Sequence, residues 1–303
     1  MVKAVERARD IGANALQVFA DNPTAWRRRT EPPKELPAFR ERLAQLDIAP
    51  VAIHAPYLIN LAGPDESLFG RSVDVLASEL RVAPGFRGRF VNVHIGSHRG
   101  SGVETGTNRL ADGLRLVLAG VDDGADAAMV VLENSAGSGF GLGTNVTELA
   151  DIAEAVAARG IPVERIGFCL DTAHAWGAGL NLADVDAADT FLADFDARIG
   201  LDRLVMIHLN DSRAELGSRL DRHEHLGTGR IGATGLGHLL RHPALSHVAW
   251  FLETPGMDEG YDAINLARAL DLIAGRPLAV LPPGATEVRG SRSRSGPSDE
   301  LGA

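Results

Sequence analysis

The sequence predicts a parallel (β/α) barrel, and three observations carry that expectation. Seven short aliphatic runs alternate with amphipathic helical patterns at intervals of roughly forty residues. The runs are continuously apolar rather than alternating, which suits parallel strands buried on both faces. Six of the seven close on His, Asp or Glu. In a barrel the C-terminal strand ends converge on one mouth, whereas a doubly wound sheet would spread them too widely.

The chain opens in a helical pattern, Val2 to Ile11, with no strand before it. The runs then follow as ALQVF (15–19), PVAIH (50–54), FVNVH (90–94), MVVLE (129–133), IGFCLD (166–171), LVMIHL (204–209) and VAWFLE (248–253). Between them, apolar residues recur at helical spacing in 67–80, 107–118, 145–158, 186–199 and 263–273. From 281 to 303 the chain is rich in Pro, Gly, Ser and Arg without apolar periodicity. The expected organisation is a barrel domain over 1–280 and a disordered tail over 281–303.

The 303 residues suffice for one large barrel, and 45% of them are hydrophobic. The single cysteine, Cys169, excludes an intrachain disulfide framework and fits a reducing compartment. No run of eighteen apolar residues is present and the N-terminus does not resemble a signal peptide, so a cytoplasmic protein without a membrane partner is expected. The net charge of −10 argues mildly against nucleic acid. Bound divalent cations would reverse that locally.

His54, His94, Glu133, Asp171, His208 and Glu253 close successive runs, at spacings of 40, 39, 38, 37 and 45. A single polar residue at a strand end is as often a cap as a ligand. Six in series, all of metal-binding type, point to a metal centre. Asp171-x-x-His174 and Asp221-x-His223 add three more donors. Nine exceed what one ion needs, so two or three ions are expected.

These segments resemble one family. HAPYLINLAGPDESL (54–68), HIGSH (94–98), ENSAGSG (133–139), LDTAHAWGAG (170–179), IHLNDS (207–212), DRHEHLGTGRIG (221–232) and LETPG (252–256) are similar to endonuclease IV. Its members are zinc-dependent repair nucleases acting at apurinic/apyrimidinic sites. The resemblance implies an eight-stranded TIM barrel of the xylose-isomerase-like superfamily, with three zinc ions. His54 and His94 would hold the first, and Glu133 would bridge to the second. Asp171, His208 and Glu253 would complete the second, and His174, Asp221 and His223 would hold the third. Glu133 and Glu253 are the implied catalytic carboxylates. A hydroxide between the ions would attack the phosphorus 5′ to the abasic sugar, leaving a 3′-hydroxyl and a 5′-deoxyribose phosphate. The implied partner of the monomer is double-stranded DNA with abasic sites or blocked 3′ ends.

Tyr57 matches a residue the family inserts at the lesion, while Arg222 and Arg230 are candidate phosphate contacts. Gly227, Gly229 and Gly232 would let backbone approach a phosphate, or simply form a turn. Asn22 and Trp26 match an Asn-x-x-x-Trp segment of the family. Cys169 is expected as a small buried hydrophobe, and His98 and His225 as groups that orient ligands. His238, His242 and His247 are expected at the surface.

Two departures stand out. The family's first strand, with its Gly-x-His segment, is missing, so an upstream start is expected and a gap should leave two sheet edges exposed. Thr24 replaces the usual DNA-inserting Arg, for which Arg27 to Arg29 could substitute. The alternatives are a sugar isomerase or epimerase on the same barrel, needing only Glu133, Asp171, His208 and Glu253, or a truncated, inactive DNA-binding homologue.

Overall fold

The computed structural model describes residues 1–121 and 124–287. Its elements run α1 (Val2–Ile11), β1 (Leu16–Val18), α2 (Leu36–Gln45), β2 (Val51–His54), α3 (Glu66–Val82), β3 (Gly88–His94), α4 (Val103–Ala119), β4 (Met129–Glu133), α5 (Val146–Ala158) and β5 (Ile166–Asp171). They continue with α6 (Thr172–Ala178), α7 (Val185–Arg198), β6 (Leu204–Leu209), a two-residue ribbon β7 (Asp211–Ser212) and β8 (His223–Glu224), then α8 (Gly232–Arg241), β9 (Ala249–Leu252) and α9 (Tyr261–Ala274). All seven aliphatic runs are strands. They form one parallel sheet in the order β1-β2-β3-β4-β5-β6-β9.

The sheet is a nearly closed barrel, and the eighth strand expected from the resemblance is not among the described residues. β1 and β9 are therefore edge strands, without a ladder between them. Their residues are mostly half-buried, while β2, β4 and β5 are almost wholly buried. Side chains cross the seam instead. Gln17 on β1 donates to Glu253 just past β9 at 2.8 Å, and Arg7 on α1 pairs with Asp262 on α9 at 2.7 Å.

Alternation along each strand separates two cores. Outward residues such as Ile53, Val91, Val130, Phe168 and Ile207 pack against the helices. Inward residues Ala52, Phe90, Val131, Cys169, Met206 and Phe251 form a second apolar layer inside the barrel. That layer floors the mouth, because the next inward positions are His54, Asn92, Glu133, Asp171, His208 and Glu253. Cys169 is thus buried in the lumen directly below the polar site, and burial pushes its thiol up to about 11.

Helix starts follow local chemistry. Asp65, Asn145 and Asp184 cap α3, α5 and α7 by accepting backbone N–H groups of the first turn. Of the segment expected as tail, Ala285–Glu287 forms a 3-10 turn with Ala285 buried, its carbonyl accepting from His225. Residues 288–303 lie outside the described residues. No described helix is long and apolar enough to cross a membrane.

Candidate metal centre

The six strand-end residues meet in one pocket at the C-terminal mouth. Glu133 is its centre. Its Oε2 lies 3.5 Å from His54 Nε2 and 3.6 Å from His94 Nε2, while its Oε1 lies 3.4 Å from His208 Nδ1 and 3.3 Å from His174 Nδ1. His208 Nδ1 also approaches Glu253 Oε1 at 3.3 Å and Asp171 Oδ2 at 4.0 Å. Ligands held about 2.0–2.1 Å from a tetrahedral ion stand roughly 3.3 Å apart, and the spacings of Glu133 to His54, His94 and His208 and of His208 to Glu253 are close to that.

The remaining donors arrive from loops. Asp171 caps α6 by accepting His174 N–H at 2.7 Å, which fixes His174 one turn beyond it. The β7–β8 ribbon brings His223 back to the mouth. There His223 Nε2 lies 3.0 Å from Asp221 Oδ1 and 3.6 Å from Asp171 Oδ2, and His174 Nε2 lies 3.4 Å from Asp221 Oδ2. Three ligand clusters result: His54, His94 and Glu133; Glu133, Asp171 and His208; and Asp171, His174 and His223. Asp171 stands in the last cluster where the sequence resemblance assigns Asp221, although Asp221 touches both of its histidines.

The imidazoles are oriented for metal. His54 Nδ1 donates to the Ala55 carbonyl, His174 Nδ1 to that of Asn134 and His223 Nδ1 to that of Glu253, which turns each Nε2 toward the pocket. His208 is reversed, with Nε2 donating to Gln17 Oε1 at 3.0 Å and Nδ1 facing inward. His208 Nδ1 and Glu133 Oε1 are both buried without a hydrogen-bond partner. Such orphaned atoms are costly unless a further group satisfies them. A cation between them does so, and the donor set fits one.

Charge tells the same story. Burial alone would raise Glu133, but the charges of His208 and His94 hold it well below the ordinary carboxylate range. Asp221 is likewise held low, hydrogen bonds from His174 and His223 outweighing its burial. Burial would lower His174, His208 and His223, yet all three are raised, His174 and His223 by surrounding carboxylates, the latter to about 9, and His208 by Cys169 together with Glu253 and Glu133. His94 is lowered, chiefly by burial.

Around the ligands is a layer of amides that the sequence reading missed. Asn92 donates to Glu133 Oε2, Asn210 donates to Asp171 Oδ2 at 2.8 Å, and Asn134 accepts the Asp171 N–H at 2.6 Å. Thr172 Oγ1 links this network to the backbone of β6. Asn92 could have been found, since an Asn two residues before His94 shares its inward face. Gln17 carried no comparable signal.

Other expectations change. The N–H groups of Gly227, Gly229 and Gly232 point at the Asp211 carboxylate, with that of Ile231, and not outward toward a ligand. His225 bonds Asn265 and Ala285, and His98 accepts the Gly102 N–H, so both tie loops together and neither orients a ligand. Arg28 pairs with buried Glu79, and Arg29 with Asp21, which leaves Arg27 alone of the three without such an ion pair among the described residues. Tyr57 stands exposed at the rim, packed edge-on to Phe19 and beside His54 and His94. Arg222 bonds the carbonyl of Asp221, and Arg230 pairs with Glu215.

Fold and site together define a parallel α/β barrel with clustered metal-binding groups at its strand ends. The family profile described as the xylose isomerase-like TIM barrel matches residues 5–274. Probable endonuclease 4 of Methanoculleus marisnigri is 39% identical over 270 residues, covering 89% of this chain and 94% of that relative. Probable endonuclease 4 of Halothermothrix orenii is also 39% identical, over 88% of this chain and 95% of that relative. The crystal structure of endonuclease IV from Thermus thermophilus superposes with a TM-score of 0.76 at 35% identity, covering 90% of this chain and 94% of that one. The chain belongs to the endonuclease IV family.

Proposed function

We propose that the protein hydrolyses the phosphodiester bond 5′ to abasic sites in double-stranded DNA, leaving a 3′-hydroxyl and a 5′-deoxyribose phosphate, with three zinc ions per chain. The observation that carries this reading is the pair of orphaned atoms, Glu133 Oε1 and His208 Nδ1, inside a set of nine nitrogen and oxygen donors. The first ion is assigned to His54, His94 and Glu133, the second to Glu133, Asp171, His208 and Glu253, and the third to His174, Asp221 and His223. Bound zinc supplies Lewis acidity at phosphoryl oxygens and lowers the pKa of water.

The protein's own groups have distinct parts. Glu133 is sealed at 1% exposure and surrounded by imidazoles, so it would supply a fixed negative charge to the first and second sites. Glu253, 23% exposed at the mouth, is the carboxylate able to take a proton from the attacking water. Asn92, Asn134 and Asn210 hold the carboxylates in place so that little reorganisation is needed as charge moves. Tyr57 at the rim occupies the gap left by the lesion. Arg222, next to Asp221, and Arg230 would meet phosphate.

A sugar isomerase needs only the four strand-end ligands, and the loop-borne His174, Asp221 and His223 would then be idle. The purified protein, loaded with zinc, is to be incubated with an abasic-site duplex with and without chelator. Cleavage on the 5′ side giving an end that a polymerase extends, abolished by the chelator, supports the proposal. A zinc-loaded protein that leaves the duplex intact overturns it. The same proposal includes a cytoplasmic monomer whose barrel domain ends near residue 280.

A further inference from the structure

A second group of metal-binding side chains lies on the outer helical layer, formed by none of the nine residues above. Asp189 on α7 faces His238 and His242, four residues apart at the end of α8. One carboxylate oxygen, Asp189 Oδ1, lies 2.5 Å from His238 Nε2 and 3.5 Å from His242 Nε2. The two rings stand 5.5 Å apart at 73°, and the three donor atoms fall within 4.8 Å of one another.

We propose that Asp189, His238 and His242 form a peripheral site for a zinc-like divalent transition metal that clamps α7 to α8. Two imidazoles and one carboxylate are the donor types zinc, copper and nickel take, and they disfavour calcium or magnesium. Position on the helix supports a cation, because the C-terminal end of α8 carries partial negative charge from its unsatisfied carbonyls. His242 is the residue that ends α8, so its ring sits at that pole. Seating an ion requires the His238–Asp189 hydrogen bond to open to roughly 3.3 Å, the spacing of ligands on a tetrahedral ion. Asp189 is half-exposed and each histidine is about one-fifth exposed, which leaves room for that shift and for water as the fourth ligand.

The clamp would join two segments that also serve the mouth. α8 begins where the loop carrying Asp221 and His223 ends, and α7 follows α6, which carries His174. Its ion steadies the protein without entering the chemistry. The inference stands apart from the proposed nuclease activity.

The test uses protein with its tight metals in place and excess metal removed. Zinc is titrated against a chromophoric chelator, and in parallel copper(II) is added and its electron paramagnetic resonance spectrum recorded. The expected result is one further, weaker zinc per chain, nitrogen hyperfine structure on the copper signal, and a Tm rise of roughly 5 °C at a hundredfold excess over Kd. The double variant His238→Ala/His242→Ala should lose the extra zinc and the nitrogen coupling. Asp189→Asn should weaken binding at least tenfold. Both should retain the tight metals and basal activity. If the alanine pair does not fold, the milder His238→Gln and His242→Gln variants carry the same expectation. No extra zinc on the wild type, or extra zinc and copper coupling unchanged in the variants, overturns the proposal.

Discussion

Replacing Asp211 by Asn should detach the third ion while sparing the other two. Asp211 is fully buried, and its two oxygens accept N–H groups from Ser212, Gly227, Gly229, Ile231 and Gly232 at 2.8 to 3.3 Å. Those bonds pin both ends of the loop that carries Asp221 and His223. Asn turns one acceptor into a donor, so at least two buried N–H groups lose their partner and face another N–H. Hydrogen bonds to charged groups contribute about 1.5–3 kcal/mol each. Part of that is already offset, because burial pushes the Asp211 carboxyl above its usual range despite the backbone bonds. A net cost of about 2–4 kcal/mol to the closed loop follows. An ion that binds only the closed loop is then weakened by up to roughly 30- to 1,000-fold. The assay is metal content by mass spectrometry after dialysis, alongside incision of an abasic duplex. Asp211→Asn should keep the ions around Glu133, lose the third and cleave at least tenfold more slowly. A full metal complement with wild-type cleavage would refute the role given to Asp211.

Two further outcomes can be measured. Tyr57→Ala removes an exposed ring that packs only on Phe19, His54 and His94 among the described aromatic groups, so stability should fall by no more than about 1–2 kcal/mol. Cleavage should drop roughly 5- to 150-fold, the range of one lost base-stacking contact at about 1–3 kcal/mol, and an unchanged rate sinks the rim assignment. Metal-free protein should release protons on binding zinc at pH 7.5, because His223 is raised to about 9, His174 and His208 are raised as well, and zinc takes only the neutral ring. These raised values stabilise the metal-free fold below about pH 6.5, and the His223 share is lost as pH rises through about 9. Titration in buffers of differing ionisation enthalpy reads the release, and an absence of protons contradicts the electrostatics.

The strands and their terminal donors were legible in the sequence because the parallel strands are mostly apolar and six of the seven runs then close on His, Asp or Glu. The nine donors could be named from spacing and resemblance, and all nine line one mouth. What stayed hidden depends on contacts distant in sequence. Gln17 reaches His208 and Glu253 across the seam, 191 and 236 positions away along the chain. Asp211 reads as one more loop acid until five N–H groups are seen to converge on it. α6 is too short for periodicity and exists because Asp171 caps it, and α2 begins with Leu-Pro amid charged residues. His238 and His242 look like surface histidines unless α7 is known to lie beside α8. The glycines of 227–232 were read as a possible phosphate cradle, whereas they wrap a carboxylate of the protein itself.

The seam between β1 and β9 has a consequence for how the molecule holds together. Gln17 on β1 bonds both Glu253 and His208, which are assigned to the central ion, although 236 and 191 positions of chain separate them. Joining ends so distant in sequence carries a loop entropy that grows with the logarithm of the span. The ion's affinity for Glu253 and His208 helps to offset it, so gaining metal and holding β1 in place are linked equilibria. Gln17→Ala should therefore weaken binding of the central ion, and a saturating concentration of that ion should raise the stability of the whole barrel.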